Sequence, residues 1–187
     1  ALAWLGLTYS AAWIYDFSAE SATKALQFSA EAVALDPLKT VTHSIHTNTL
    51  LRNGDLEAAL RTSERGLALN PGQPGMLANR ALTLAYDGRT AEARELMAQA
   101  LRLEPLPPPW YARFNGAIAF VQGHYEEALA GVAPQGEMAW DIMYALSCYG
   151  HLGWTELAQA TLARLQQQGR NSGLTCQLLQ LAALSQQ

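Results

Sequence analysis

The 187-residue sequence predicts an all-α fold: a helical-repeat solenoid of about five helix pairs followed by a C-terminal capping helix. Three observations predict it. The tripeptide Leu-Asp-Pro at 35 to 37 recurs as Leu-Asn-Pro at 69 to 71 and Leu-Glu-Pro at 103 to 105, an interval of 34 residues each time. Inside each interval a glycine follows a polar residue, as in Asn53-Gly54 and Asp87-Gly88, and an acid then precedes a small residue. Ala25, Ala59 and Ala93 stand at one phase of the period. A fixed period near 34 residues signals stacked helix-turn-helix units.

Each residue type has a physical task in that period. Glycine reaches the left-handed backbone conformation needed to end one helix and turn into the next. Alanine lets the two helices of a pair approach closely. Proline stops the second helix, because its ring has no N–H and disfavours helical geometry in the preceding residue.

These residues resemble the tetratricopeptide repeat (TPR) family. Counting from Thr40, Pro74 and Pro109, the small residue of the family's eighth position falls on Thr47, Ala81 and Gly116. The turn glycine falls on Gly54, Gly88 and Gly123, and the small twentieth residue on Ala59, Ala93 and Ala128. A further unit holds Gly153 and Ala158, and an earlier one Ala25, Ala32 and Pro37. The sequence departs from the pattern in three places: the first unit lacks a turn glycine, Gly66 replaces the usual alanine at position twenty-seven, and Ala128 to Ala158 spans only 30 residues. The resemblance implies a right-handed solenoid occupying the whole chain, with repeats at about 1–37, 38–71, 72–105, 106–136 and 137–170 and a cap at 172–185.

In chain order, residues 2 to 14 are apolar and predict the first helix, with a loop at Tyr15 to Ser18. Ser18 or Ser21 caps a second helix running to Leu35, whose apolar stripe is interrupted only by Ser29. Leu38 to Arg52 and Asp55 to Leu69 form the next pair, with Asp55 as cap. Gly75 to Tyr86 and Thr90 to Leu103 follow, Thr90 being the expected N-cap and Glu92 an acid favoured by the helix dipole. Three prolines at 107 to 109 predict a rigid extended connector. Trp110 to Val121 is helical, a shortened partner helix restarts after Gly123 and ends by Pro134-Gln135-Gly136, and Glu137 to His151 with Thr155 to Gln168 makes the fifth pair.

Composition narrows the function. A net charge of −4 with only 12 basic residues argues against broad nucleic-acid or anionic-membrane binding. No apolar run reaches the length of a membrane span, and the apolar opening lacks the charged front of a signal peptide. Two cysteines, Cys148 and Cys176, are too few for a disulfide scaffold and favour a cytoplasmic protein. The missing initiator methionine suggests a piece of a longer protein. No phosphate-binding loop, nucleophile elbow or metalloprotease helix is present, so the chain is read as non-enzymatic, without cofactor. His43 and His46 share a helix face, yet they occupy packing positions without a third ligand, so no metal site is assigned.

The resemblance implies that the first helices of the pairs line a concave groove that binds extended peptides or a partner helix. The family's groove positions fall on Asn48, Arg52, Asn79, Tyr86, Trp110, Arg113, Trp140, Tyr144 and His151. Amides can bond a peptide backbone as donor and acceptor, and Trp, Tyr and Arg anchor interfaces. Asn48 and Asn79 match asparagines of TPRs that clamp a peptide C-terminus, whereas Ser44 and Trp110 stand where two of the clamp's lysines would be. The competing reading is that the amides join adjacent helices and the aromatics pack inside. The expected partner is a protein or peptide, with homodimerisation as a further route. A looser resemblance, carried by Pro107 to Tyr111, Gly116, Gly123 to Ala128 and Leu152-Gly153, is to the TPR regions C-terminal to bacterial class III adenylyl cyclase domains and winged-helix regulators. It implies a regulatory or sensory module for an attached output domain. A third reading is a small-ligand pocket between the shortened fourth repeat and the cap.

Overall fold

The computed structural model describes the backbone of residues 1–16, 18–131 and 139–168, and the side chains of 1–12, 18–131 and 141–164. Among them ten helices follow one another without a strand: α1 (Leu2–Asp16), α2 (Ala19–Leu35), α3 (Thr40–Arg52), α4 (Leu56–Leu69), α5 (Pro74–Tyr86), α6 (Thr90–Leu103), α7 (Pro109–Val121), α8 (Tyr125–Gly131), α9 (Ala139–Leu152) and α10 (Thr155–Gln168). Each odd-numbered helix packs against the even-numbered helix that follows it. The expected capping helix at 172–185, Cys176 and the Pro134-Gln135-Gly136 break lie outside the described residues.

Local signals set the helix ends. Ser18 Oγ accepts from Ser21 N at 3.0 Å and Asp55 Oδ1 from Ala58 N at 3.0 Å, each satisfying a donor that the first helical turn leaves over. The helix α1 ends at Asp16, two residues past the expected end at Ile14. Thr90 is not the N-cap: it is the first helical residue of α6, and Arg89 takes the cap position without a side-chain cap bond. Thr90 is thus already wound into the helix, where its hydroxyl cannot reach forward to the second or third N–H. Arg89 instead grips the first-turn acid Glu92 through two hydrogen bonds of 2.7 and 2.6 Å.

The turn glycines behave as their position demands. Gly54, Gly88, Gly123 and Gly153 have φ of 80°, 83°, 78° and 70°. Pro108 is extended (φ −65°, ψ 153°) and Pro109 opens α7 in the first helical position, where a missing N–H costs nothing. The small residues sit where helices touch: Ala25, Ala59, Ala93 and Ala128 are fully buried. Gly66 departs from alanine because a Cβ there would collide with the Met76 sulfur and stand 3.1 Å from His43 Cβ.

The main core lies across α5, α6 and α7, where Leu77, Leu84, Met97, Tyr111 and Ile118 are all almost completely buried. The polar residue on the α2 stripe has a purpose: buried Ser29 lies 2.9 Å from His46 Nδ1, tying α2 to α3. His43 Nε2 donates to the Pro37 carbonyl at 2.8 Å.

One feature governs the site. The odd helices touch in succession, α1 to α3, α3 to α5, α5 to α7 and α7 to α9, and α1 also touches α9. The odd-numbered helices therefore form one continuous layer, and the cleft described below is lined by three of them, α3, α5 and α7.

Candidate functional site: a cleft lined by three first helices

The cleft occupies about 400 Å³. Helix α3 contributes Asn48, Leu51 and Arg52, α5 contributes Leu82 and Tyr86, and α7 contributes Trp110, Arg113, Phe114 and Ala117, with Gly54 and Leu56 at the α3–α4 turn. The spacings 48/52, 82/86 and 110/113/117 are three or four residues, so each set shares one helix face. Three consecutive first helices thus aim a matching stripe at one space.

Its two cations are held at Nε. Arg52 Nε donates to Asn48 Oδ1 at 2.7 Å. Arg113 Nε donates to Asp141 Oδ1 at 3.1 Å and Oδ2 at 3.4 Å. Burial, reinforced by the Arg113 charge, lowers the Arg52 pKa to about 10, which still leaves it protonated at neutral pH. Asp141 is 2% exposed; burial pushes its carboxyl above the ordinary aspartate value, against the opposing pull of Arg113. Two guanidinium groups, of Arg52 and Arg113, line the cleft, and the second pairs with the Asp141 carboxylate.

Aromatic groups frame the cleft. Trp110 meets Phe114 edge-on with ring centroids 4.9 Å apart. The hydroxyls of Tyr86 and Tyr144 are 2.6 Å apart, linking α5 to α9. Burial raises the pKa of both phenols.

Of the groove residues expected from the sequence, Asn48, Arg52, Tyr86, Trp110 and Arg113 line the cleft, and Tyr144 joins them through Tyr86. Asn79 is elsewhere: buried to 5% exposure, its Nδ2 donates to Ser44 Oγ and to the Gly75 carbonyl, both at 2.9 Å. It joins α5 to α3, as the competing reading of the amides had it. His151 is exposed and stacks on Tyr125 (4.2 Å, 3°), in an aromatic group around Phe120 that reaches Tyr144. Trp140 begins α9, and its side chain lies outside the described residues. Asp141 escaped the sequence reading because an acid in a first helical turn has an ordinary explanation in the helix dipole. The apolar wall of Leu51, Leu82, Phe114 and Ala117 follows from the same helical spacing, once Arg52, Tyr86 and Arg113 are known to face inward.

No cluster of three or more His, Cys, Asp or Glu suited to a metal occurs among the described residues. No described helix is long and apolar enough to cross a membrane.

No protein-family model matches the chain, and a search of curated proteins finds no match. Solved structures do match. The TPR protein TTC0263 of Thermus thermophilus is 23% identical, over 81% of this chain and 79% of that one, with a TM-score of 0.56. The APC/C hetero-tetramer Cut9-Hcn1 gives a TM-score of 0.64 at 14% identity, over 97% of this chain but only 37% of that one. PilF of Pseudomonas aeruginosa gives 0.53 at 16% identity, over 95% and 79%. The period, the turn glycines, the small residues at the helix contacts and these likenesses agree: the chain has the fold of the tetratricopeptide-repeat proteins.

Proposed function

We propose that this chain is a non-catalytic protein-interaction module of the cytoplasm that receives part of a partner protein in the cleft lined by α3, α5 and α7. The observation that carries the reading is the convergence of Asn48, Arg52, Tyr86, Trp110 and Arg113 on one space. Amides, aromatics and arginine are the side chains that recognise peptides and anchor interfaces. Cut9-Hcn1 is itself a hetero-tetramer, which supports a partner-holding use of the fold.

Within a larger protein such a module is regulatory, since occupation of the cleft bears on the Tyr86–Tyr144 and Arg113–Asp141 ties that join α9 to α5 and α7.

Selection of displayed random peptides on the wild-type protein and on Arg52→Ala/Trp110→Ala tests the reading. The wild type should enrich a peptide class that the variant does not retain, while the variant keeps the helical spectrum of the wild type. Equal enrichment on both proteins would exclude the cleft as the binding site.

A further inference from the structure

Apart from the cleft, we infer that the connector between α6 and α7 is a second interaction surface: its exposed segment 106–109 is the ligand of a partner protein whose aromatic-lined groove reads polyproline II backbone.

The backbone of this connector differs from that of the two before it. Those two close on themselves: Lys39 N donates to the Asp36 carbonyl and Gln73 N to the Asn70 carbonyl, both at 3.3 Å. One period later the same two places hold Glu104 and Pro107. Proline has no N–H, so that bond cannot close the third turn. The third connector is also one residue longer, 104–108 against 36–39 and 70–73. Leu106, Pro107 and Pro108 each precede a proline, which pushes them towards extended backbone. Pro108 sits at φ −65° and ψ 153°, in the polyproline II region. The chain bends at Pro105 and Leu106 and then runs extended into α7.

The side chains face water. Leu106 is 90% exposed at the bend, and Pro105, Pro107 and Pro109 are exposed beside it. An exposed leucine alone carries no message, since Leu38 in the first connector is 76% exposed. What sets the third connector apart is an apolar run on a backbone whose one N–H, between 105 and 109, belongs to Leu106. Trp110 turns to the cleft and Tyr111 into the core, so the readable stretch ends at Pro109.

These properties select the partner. A polyproline II segment has no internal hydrogen bonds, so its carbonyls are open to donors, and its rings pack into slots between aromatic side chains. Here the proline rings and the helices at both ends set the conformation before binding, which reduces the entropy lost on docking.

The experiment presents the full chain to an array of purified SH3 and WW domains, which read polyproline II, and titrates the tightest of them by fluorescence anisotropy. The proteins compared are the wild type, Leu106→Ser, Pro107→Ala, which restores the missing N–H, and Arg52→Ala in the cleft. At least one domain should retain the wild type, and a free peptide of residues 105–109 should compete. Leu106→Ser and Pro107→Ala should each weaken binding at least about fivefold without moving the melting temperature, and Arg52→Ala should bind as the wild type does. If no domain retains the wild type, or if both connector variants bind unchanged, the inference is overturned. If Arg52→Ala alone abolishes retention, the contact is made in the cleft: the connector has no such role and the cleft reading stands.

Discussion

Arg113 on α7 holds Asp141 on α9 through its Nε, 3.1 Å from Oδ1, across 28 residues of sequence; the acid is buried and the arginine side chain 30% exposed. The two partners are therefore unequal. Arg113→Ala leaves a buried carboxylate uncompensated, whereas Asp141→Ala leaves a cation with access to water. We expect Arg113→Ala to cost about 2 kcal/mol in urea unfolding, less than a fully buried pair because the arginine is partly solvated. Asp141→Ala should cost less, and the double variant less than the sum of the two singles. Equal and additive losses would mean that the pair is not coupled.

Two glycines predict opposite outcomes. Gly131 meets Gly116 where α8 crosses α7: a Cβ on Gly131 would press into the Ala112 carbonyl and stand 2.7 Å from Gly116 Cα. Gly131→Ala should destabilise by more than about 2 kcal/mol, since backbone cannot yield as a side chain can. Gly150 in α9 has open space around its Cβ position. Gly150→Ala should stabilise by about 0.5–1 kcal/mol, the helix-propensity gain. Thermal melts of the two variants check both signs.

His46 makes the stability depend on pH. Burial first, then the neighbouring His43, lowers its pKa below the ordinary value, opposed by Asp55. The unfolded chain therefore takes up the proton at a higher pH than the folded one. Stability is intact above about 6.5 and falls as pH drops below it, with a slope of at most about 1.4 kcal/mol per pH unit. His46→Asn keeps a polar group toward Ser29 and removes the proton uptake. Its melting temperature should change less than that of the wild type between pH 7 and pH 5; parallel curves would clear His46 of the effect.

The Tyr86–Tyr144 tie has an alkaline counterpart. Both phenols ionise at higher pH when folded than when unfolded, because burial disfavours the phenolate. Stability is fully present below about 10 and is lost as pH rises past that value. Tyr144→Phe should lose about 1 kcal/mol at neutral pH from the missing hydrogen bond and show a shallower decline above pH 10. Denaturation at pH 8 and pH 10.5 separates the two effects.

The residues that define each helix pair were legible because their causes are near in sequence. Ser18 and Asp55 cap helices by bonding three residues on, Gly54 and Gly88 turn the chain within one residue, and the recurring proline stops a helix at its own position. Thr90 misled for a local reason too, since the true cap position fell one residue earlier on Arg89. The inward stripe of Asn48, Arg52, Tyr86, Trp110 and Arg113 was readable from its place in the repeat, whereas Asn79 held an equivalent place and was spent on a helix contact.

What the sequence alone determined is the repeat of helix, turn and helix, settled by contacts within about one 34-residue period. Only the tertiary structure decided that α1 meets α9, that Tyr86 reaches Tyr144 over 58 residues, and that Arg113 finds Asp141. The physical reason is that curvature in a stacked array is the sum of small rotations between neighbouring units. No single repeat encodes that sum, so which side chains of distant pairs meet emerges only when all the pairs are assembled.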